Sequence, residues 1–276
     1  MTVFQSLILG IIQGIAEFLP ISSSGHLALM GFFLGVKSPP LIFDLLLHFA
    51  TMIAAVIFFW KLIVRLSIRQ VSIIILANIP VGLVGMLFND QIESWFSSLE
   101  IVSAALIFTG VLNILSDVLL KKHTDSSVQV NPTEDSRQES KLKFKNFPNL
   151  KQALLVGVFQ MISLTPGVSR SGSTVFAGLL SGLNRESAVA FSFLLVMPAI
   201  FGATLLELGR SSKIDLTELI QNFPVYLVGM AAAFCFGLTS LWLLKKILVS
   251  SKWQYFGIYC LVMGGSLIAG QLLGLI

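Results

Sequence analysis

The chain has 276 residues, 55% of them hydrophobic and 12% charged, with a formal net charge of +4 and a mean hydropathy of +0.88. A water-soluble domain carries about 25% charged residues, so a soluble globular fold, a disordered chain and a nucleic-acid binder are all excluded as readings. What remains is a polytopic membrane protein surrounded by lipid, in which Lys and Arg mark topology.

In chain order, Met1–Val36 holds no Lys or Arg, so no cleavable leader is expected there. Residues 3–36 are apolar but broken by Pro20 and by Ser22-Ser23-Ser24-Gly25. Such a segment reads as two half-helices joined by a polar turn, a re-entrant pair. Spans of about 20 residues, enough for a hydrocarbon core of roughly 30 Å, follow at 41–60, 71–88 and 101–120. Residues 121–149 are polar and charged without apolar periodicity and are expected to be a cytoplasmic linker. Residues 150–183 repeat the broken pattern around Pro166-Gly167 and Ser169-Arg170-Ser171-Gly172, and spans follow at 187–206, 223–244 and 255–276. Cys235 and Cys260 both lie inside apolar runs, which leaves no disulfide framework or cysteine metal site.

The two broken segments match at a constant offset of 147. Gln5, Leu7, Gly10, Gln13 and Ile15 recur as Gln152, Leu154, Gly157, Gln160 and Ile162. Ser22, Ser24, Gly25, Gly31 and Gly35 recur as Ser169, Ser171, Gly172, Gly178 and Gly182. Each half, 1–120 and 150–276, is then one re-entrant pair followed by three spans. Three is odd, so the halves sit in opposite orientations. The expected fold is all-α, with six transmembrane helices and two re-entrant helix pairs in an inverted-topology repeat, a design whose broken helices point to a midplane site. Residues 61–70, 121–151 and 245–252 hold 3, 7 and 3 Lys or Arg, against 1, 0 and 2 in 37–40, 89–100 and 207–222. The positive-inside rule makes the first set cytoplasmic. Gly31/Gly35 and Gly178/Gly182 read as small-xxx-small helix contacts, and Trp60, Trp95 and Trp253 as interfacial belt residues.

The first turn places Gln13 and Glu17 one helical turn apart, with Ser22, Ser23, Ser24 and His26 following. A charge at the bilayer centre costs roughly 2.5–3.5 kcal/mol on insertion scales, so an acid in such a segment suggests function. The second turn offers small residues, the hydroxyls of Ser169, Ser171, Ser173 and Thr174, a half-helix N-terminus suited to anions, and Arg170, whose planar fork suits phosphate oxygens. An acid, hydroxyls and an imidazole facing a phosphate cradle indicate phosphate-ester or anhydride chemistry. Asp44 and His48 share a face near the outer end of the first span and are candidates to border the site. Asn113 and Asp117 read as an interfacial helix end.

The first turn, the Pro166–Thr174 motif and the order of spans resemble the undecaprenyl-diphosphatase family of the bacitracin-resistance type, over nearly the whole chain except the 121–149 insert. That resemblance implies hydrolysis of undecaprenyl diphosphate to undecaprenyl phosphate and inorganic phosphate, recycling the lipid carrier for cell-wall synthesis. It implies a multi-pass protein of the bacterial inner membrane with its site opening to the outer, periplasmic side, and a Mg²⁺ or Ca²⁺ requirement. Position by position, Ser23 matches the nucleophile, His26 the histidine that activates it, Glu17 the second acid of a Glu/Gln-x-x-x-Glu motif and Arg170 the phosphate-binding arginine. Gly167, Ser169, Ser171, Gly172, Thr174 and Ser22 complete the expected phosphate-binding set. Glu17 and Gln13 are the expected metal ligands, with Gln13 a neutral amide where some members have Glu. The competing reading is an inverted-repeat secondary transporter or polyprenyl-phosphate flippase, which would tolerate Ser23→Ala far better than a phosphatase. No oligomeric state follows from the sequence.

Overall fold

The computed structural model describes residues 1–36, 41–125, 147–209, 216–249 and 253–276. The expected linker falls mostly on 126–146, outside the described residues, as do 37–40 and parts of two other loops. Among the described residues there are eleven helices and no strand.

Six helices are long and apolar enough to cross a bilayer: α3 (Leu41–Ile63), α4 (Ile68–Leu87), α6 (Leu99–Asp125), α9 (Arg185–Gly209), α10 (Leu216–Val249) and α11 (Trp253–Leu272). Their exposed faces carry large apolar side chains, such as Ile75, Ile79 and Leu83 on α4 and Tyr255, Ile258 and Val262 on α11, as contact with lipid requires. Each expected span lies on one of these helices. The last begins and ends a few residues early, and α6 runs on to Asp125, into the expected linker. A short polar helix, α5 (Asn89–Trp95), was not anticipated.

The two broken segments form α1 (Val3–Phe18) with α2 (Ser23–Phe33), and α7 (Leu150–Ile162) with α8 (Arg170–Leu180). At 1.5 Å per residue an 11-residue helix is about 16 Å long, well short of a bilayer core. Their local chemistry repeats at the offset of 147. Thr2 and Gln5 form a capping box on α1, as Asn149 and Gln152 do on α7. Gln5 Nε2 donates to the Leu34 carbonyl (3.1 Å) and Gln152 Nε2 to that of Ser181 (3.0 Å). Ser22 Oγ accepts from Gly25 N–H (3.2 Å) and Ser169 Oγ from Gly172 N–H (3.1 Å), capping α2 and α8. Both helices end alike: Val36 N–H bonds the Gly31 carbonyl and Leu183 N–H that of Gly178, with Gly35 (φ +68°) and Gly182 (φ +88°) in the left-handed region. This is a Schellman ending, which favours glycine. Neither Gly35 nor Gly182 has a neighbour within 4 Å of its would-be Cβ. The reading of these two as helix contacts is therefore corrected, because their backbone conformation rather than their size is what is used.

The halves are interlaced. α1 packs on α10, the second span of the other half, and α7 packs on α4, its counterpart; α6 and α11, the third spans, pack on each other. Glycine allows both approaches. A Cβ on Gly10 would collide with the Gly229 carbonyl, and one on Gly157 with the Ala77 carbonyl. Such close backbone contact replaces the hydrophobic driving force that lipid does not supply. Ser6 Oγ donates to the Val225 carbonyl (2.6 Å) and Ser240 Oγ to that of Ile15 (2.9 Å), fastening α1 to α10. Trp253, expected at an interface, is 1% exposed and belongs to the core under α2's turn and α8, with Phe18, Phe59 and Phe193.

Candidate active site

The turns before α2 and α8 meet inside the protein. Glu17, on the last turn of α1, is buried and its carboxylate is the hub of the contact. Arg170, the first residue of α8, pairs with Glu17 Oε1. Ser23 Oγ donates to Glu17 Oε2 at 2.7 Å and Gln13 Nε2 donates to the same oxygen at 3.1 Å. One carboxylate thus joins the two halves of the chain, and a buried acid is tolerated because guanidinium, hydroxyl and amide all donate to it.

Ser22 sits at φ 71°, the sole described non-glycine residue with positive φ. Strain of this kind costs about 1–3 kcal/mol and clusters at functional turns. Here it swings Ser23 from the end of the turn onto the first position of α2, toward Glu17.

A cavity of about 420 Å³ opens at this contact, lined at its polar end by Glu17, Ser23, Asp44, His48, Ser169 and Arg170. Its other walls come from α4, α7 and α9, including Gly82, Gly85 and Gly202. His48 stands beside the hub: its Nδ1 donates to the Asp44 carbonyl (2.9 Å), Asp44 Oδ2 is 3.5 Å from that nitrogen, and its Nε2 faces Glu17 Oε2 at 3.7 Å.

The sequence-derived site divides under this geometry. Glu17, Ser23 and Arg170 are brought together. His26 is close to Ser23 in sequence but makes no hydrogen bond to it: Nδ1 faces the Ser22 carbonyl (2.7 Å), and Nε2 the Tyr259 hydroxyl (2.7 Å), with the two rings stacked. Within the expected phosphate-binding set, Ser169 and Arg170 line the cavity. Ser171 Oγ donates to the Leu19 carbonyl (3.1 Å), and Thr174 Oγ1 to the Arg170 carbonyl (2.7 Å). Ser22 Oγ and Gly172 N–H are each used in a helix cap, so these groups build the turns. Gly167, at φ +97°, would place a Cβ 2.5 Å from the Val102 carbonyl, so its role here is to let α6 approach. Sequence reasoning missed Tyr259 and Thr109, and took Asn113 for an interfacial residue although it is fully buried. A polar side chain one turn from another on an otherwise apolar helix was the available signal for Thr109 and Asn113.

For a divalent cation, the described residues include no group of three or more His, Cys, Asp or Glu placed to hold one. Gln13 Oε1 is buried without a hydrogen-bond partner beside the Glu17 carboxylate. Two protein oxygens suit a hard ion such as Mg²⁺ that keeps water and phosphate oxygens as its remaining ligands.

Residues 6–266 match the sequence profile described as bacitracin resistance protein BacA. The chain belongs to the BacA family. Similar members include proteins named undecaprenyl-diphosphatase from Thermosipho africanus, 38% identical over 269 residues covering 93% of this chain and 96% of the relative. One from Halothermothrix orenii is 38% identical over 270 residues, with 96% of each chain covered. Another from Methanococcus maripaludis is 37% identical over 266 residues, covering 93% and 95%. The match runs across all six long helices, so the BacA resemblance concerns the whole membrane unit.

Proposed function

We propose that this BacA family member hydrolyses undecaprenyl diphosphate to undecaprenyl phosphate and inorganic phosphate. The observation that carries the reading is the triad at the meeting of the two turns: a serine hydroxyl held by a buried carboxylate that is itself paired with an arginine, at the wall of a cavity. The names of its relatives supply the substrate.

Ser23 Oγ attacks the terminal phosphorus, and its proton passes to Glu17 Oε2, the atom it already faces. The bond from phosphorus to the bridging oxygen breaks, and undecaprenyl phosphate leaves. Water then attacks the serine phosphate, the Oγ–P bond breaks, and the proton returns from Glu17 to the serine oxygen as phosphate departs. Arg170, with N–H groups beyond the one spent on Glu17, neutralises charge on the equatorial oxygens during both transfers. Glu17 and Gln13 Oε1 are the groups that would hold a divalent cation, which would supply further neutralisation of the diphosphate charge. Asp44 and His48 border the same polar end, and the polyprenyl tail runs along the apolar cavity walls of α4 and α9. With 61–70 and the 121–151 region on the cytoplasmic side, the site opens to the outer face of a bacterial inner membrane, and the product is the lipid carrier recycled for cell-wall synthesis.

The test is phosphate release from undecaprenyl diphosphate by purified protein, with and without EDTA, alongside Ser23→Ala. Release by the wild type that disappears in the variant is expected. A folded wild type that releases none returns the chain to the transporter reading.

A further inference from the structure

α6 carries two polar side chains one turn apart, Thr109 and Asn113, both fully buried. Thr109 Oγ1 donates to the Gly167 carbonyl (2.9 Å) and accepts from Ser169 N–H (2.9 Å), so one hydroxyl closes the turn that launches α8. Asn113 Nδ2 donates to the Pro20 carbonyl (2.5 Å), holding the turn that launches α2. Asn113 Oδ1 is buried without a hydrogen-bond partner, 3.0 Å from where a Cβ on Gly172 would stand. Neither residue lines the cavity. Yet the groups they hold lie within three residues of Arg170 and Ser23, which come from opposite halves of the chain. A hydroxyl and an amide inside a membrane protein are retained where they satisfy main-chain groups that no helix satisfies, and here every bond goes to a catalytic turn.

We propose that Thr109 and Asn113 are positioning residues that set the distance between Arg170 and the Glu17–Ser23 pair, by referring both turns to one face of α6. The proposal rests on the phosphatase reading. Displacement of reacting groups by about 1 Å costs up to about 100-fold in rate, so the effect belongs in turnover.

Thr109→Val keeps the side chain's shape and removes both bonds; Thr109→Ser keeps the hydroxyl. The expected result is a kcat lowered about 10- to 100-fold in Thr109→Val, with KM within about threefold and most of the rate restored in Thr109→Ser. Asn113→Asp, which loses the donor to Pro20, moves kcat the same way. In a cycle with Arg170→Lys, the combined loss falls short of the product of the single losses, because Thr109 acts through Arg170. Inorganic phosphate raises the thermal unfolding midpoint of the wild type more than that of Thr109→Val. Wild-type kcat in folded Thr109→Val and Asn113→Asp overturns the proposal, as do losses that multiply independently in the cycle. Failure of both variants to fold makes the residues structural only, and also overturns it. A silent wild type defeats the phosphatase reading instead, and the phosphate-induced shift then judges the positioning role by itself.

Discussion

Glu17 holds three donors at once, Arg170, Ser23 and Gln13, and its removal differs in kind from removal of the serine. Glu17→Gln leaves the Arg170 guanidinium, with 18% of its side chain exposed, without its counter-charge; breaking a buried pair from one side costs about 3–5 kcal/mol. Loss of both phosphate release and thermal stability is expected for Glu17→Gln, and loss of release alone for Ser23→Ala, as read by unfolding midpoints beside rates. Gln13→Glu sets a second carboxylate against Glu17, so activity is retained with a steeper dependence on added Mg²⁺ in an EDTA titration. Glu17, Ser23 and Arg170 were legible because polar residues in an apolar segment need a use. Which histidine stands near Glu17 was not legible. The family resemblance implied a Ser23–His26 pair, but the His26 ring is claimed by Tyr259 on α11, while His48 arrives from α3. Proximity across distant helices is a tertiary fact that spacing along one turn does not encode.

The long helices were readable from apolar length alone. α5 was not, since Asn89–Trp95 is short, polar and without a face to bury. The glycines of the duplicated elements show the same divide: their recurrence was visible, but which of them serve conformation and which serve contact was set by partners. Gly35 needs its left-handed backbone but has open space around it, so Gly35→Ala is expected to cost only about 1–2 kcal/mol. Gly157→Val drives a branched side chain into the α4 backbone at Ala77 and is expected to abolish the monodisperse folded fraction on detergent size-exclusion chromatography. A comparable yield for the two variants would contradict this account of α7 on α4.

Across the whole molecule, the cavity runs from the polar turns to walls where Gly82, Gly85 and Gly202 have nothing within 4 Å of a would-be Cβ. Gly85→Leu is therefore expected to raise KM for undecaprenyl diphosphate while leaving KM for a short-chain prenyl diphosphate near the wild-type value. Equal effects on both would place the tail elsewhere. The charge asymmetry of the loops makes a topological prediction too. In a background lacking Cys235 and Cys260, a cysteine at Ser94 reacts with an impermeant maleimide in intact cells, and one at Ser67 reacts only after lysis.

The interlacing of the halves also sets a schedule. α1 is made first, but the helix it packs against, α10, lies roughly 200 residues further along the chain. At synthesis rates of about 5–20 residues per second, α1 waits on the order of 10–40 s for its partner, and Glu17 waits with it until Arg170 has emerged. During that interval an acid-bearing helix with one apolar face needs a temporary host in the insertion machinery or its surrounding lipid. Truncated chains ending before α10 should accordingly be bound by membrane chaperones or degraded, so the duplicated architecture makes the last stretch of the gene, from α10 onward, a condition for the survival of the first.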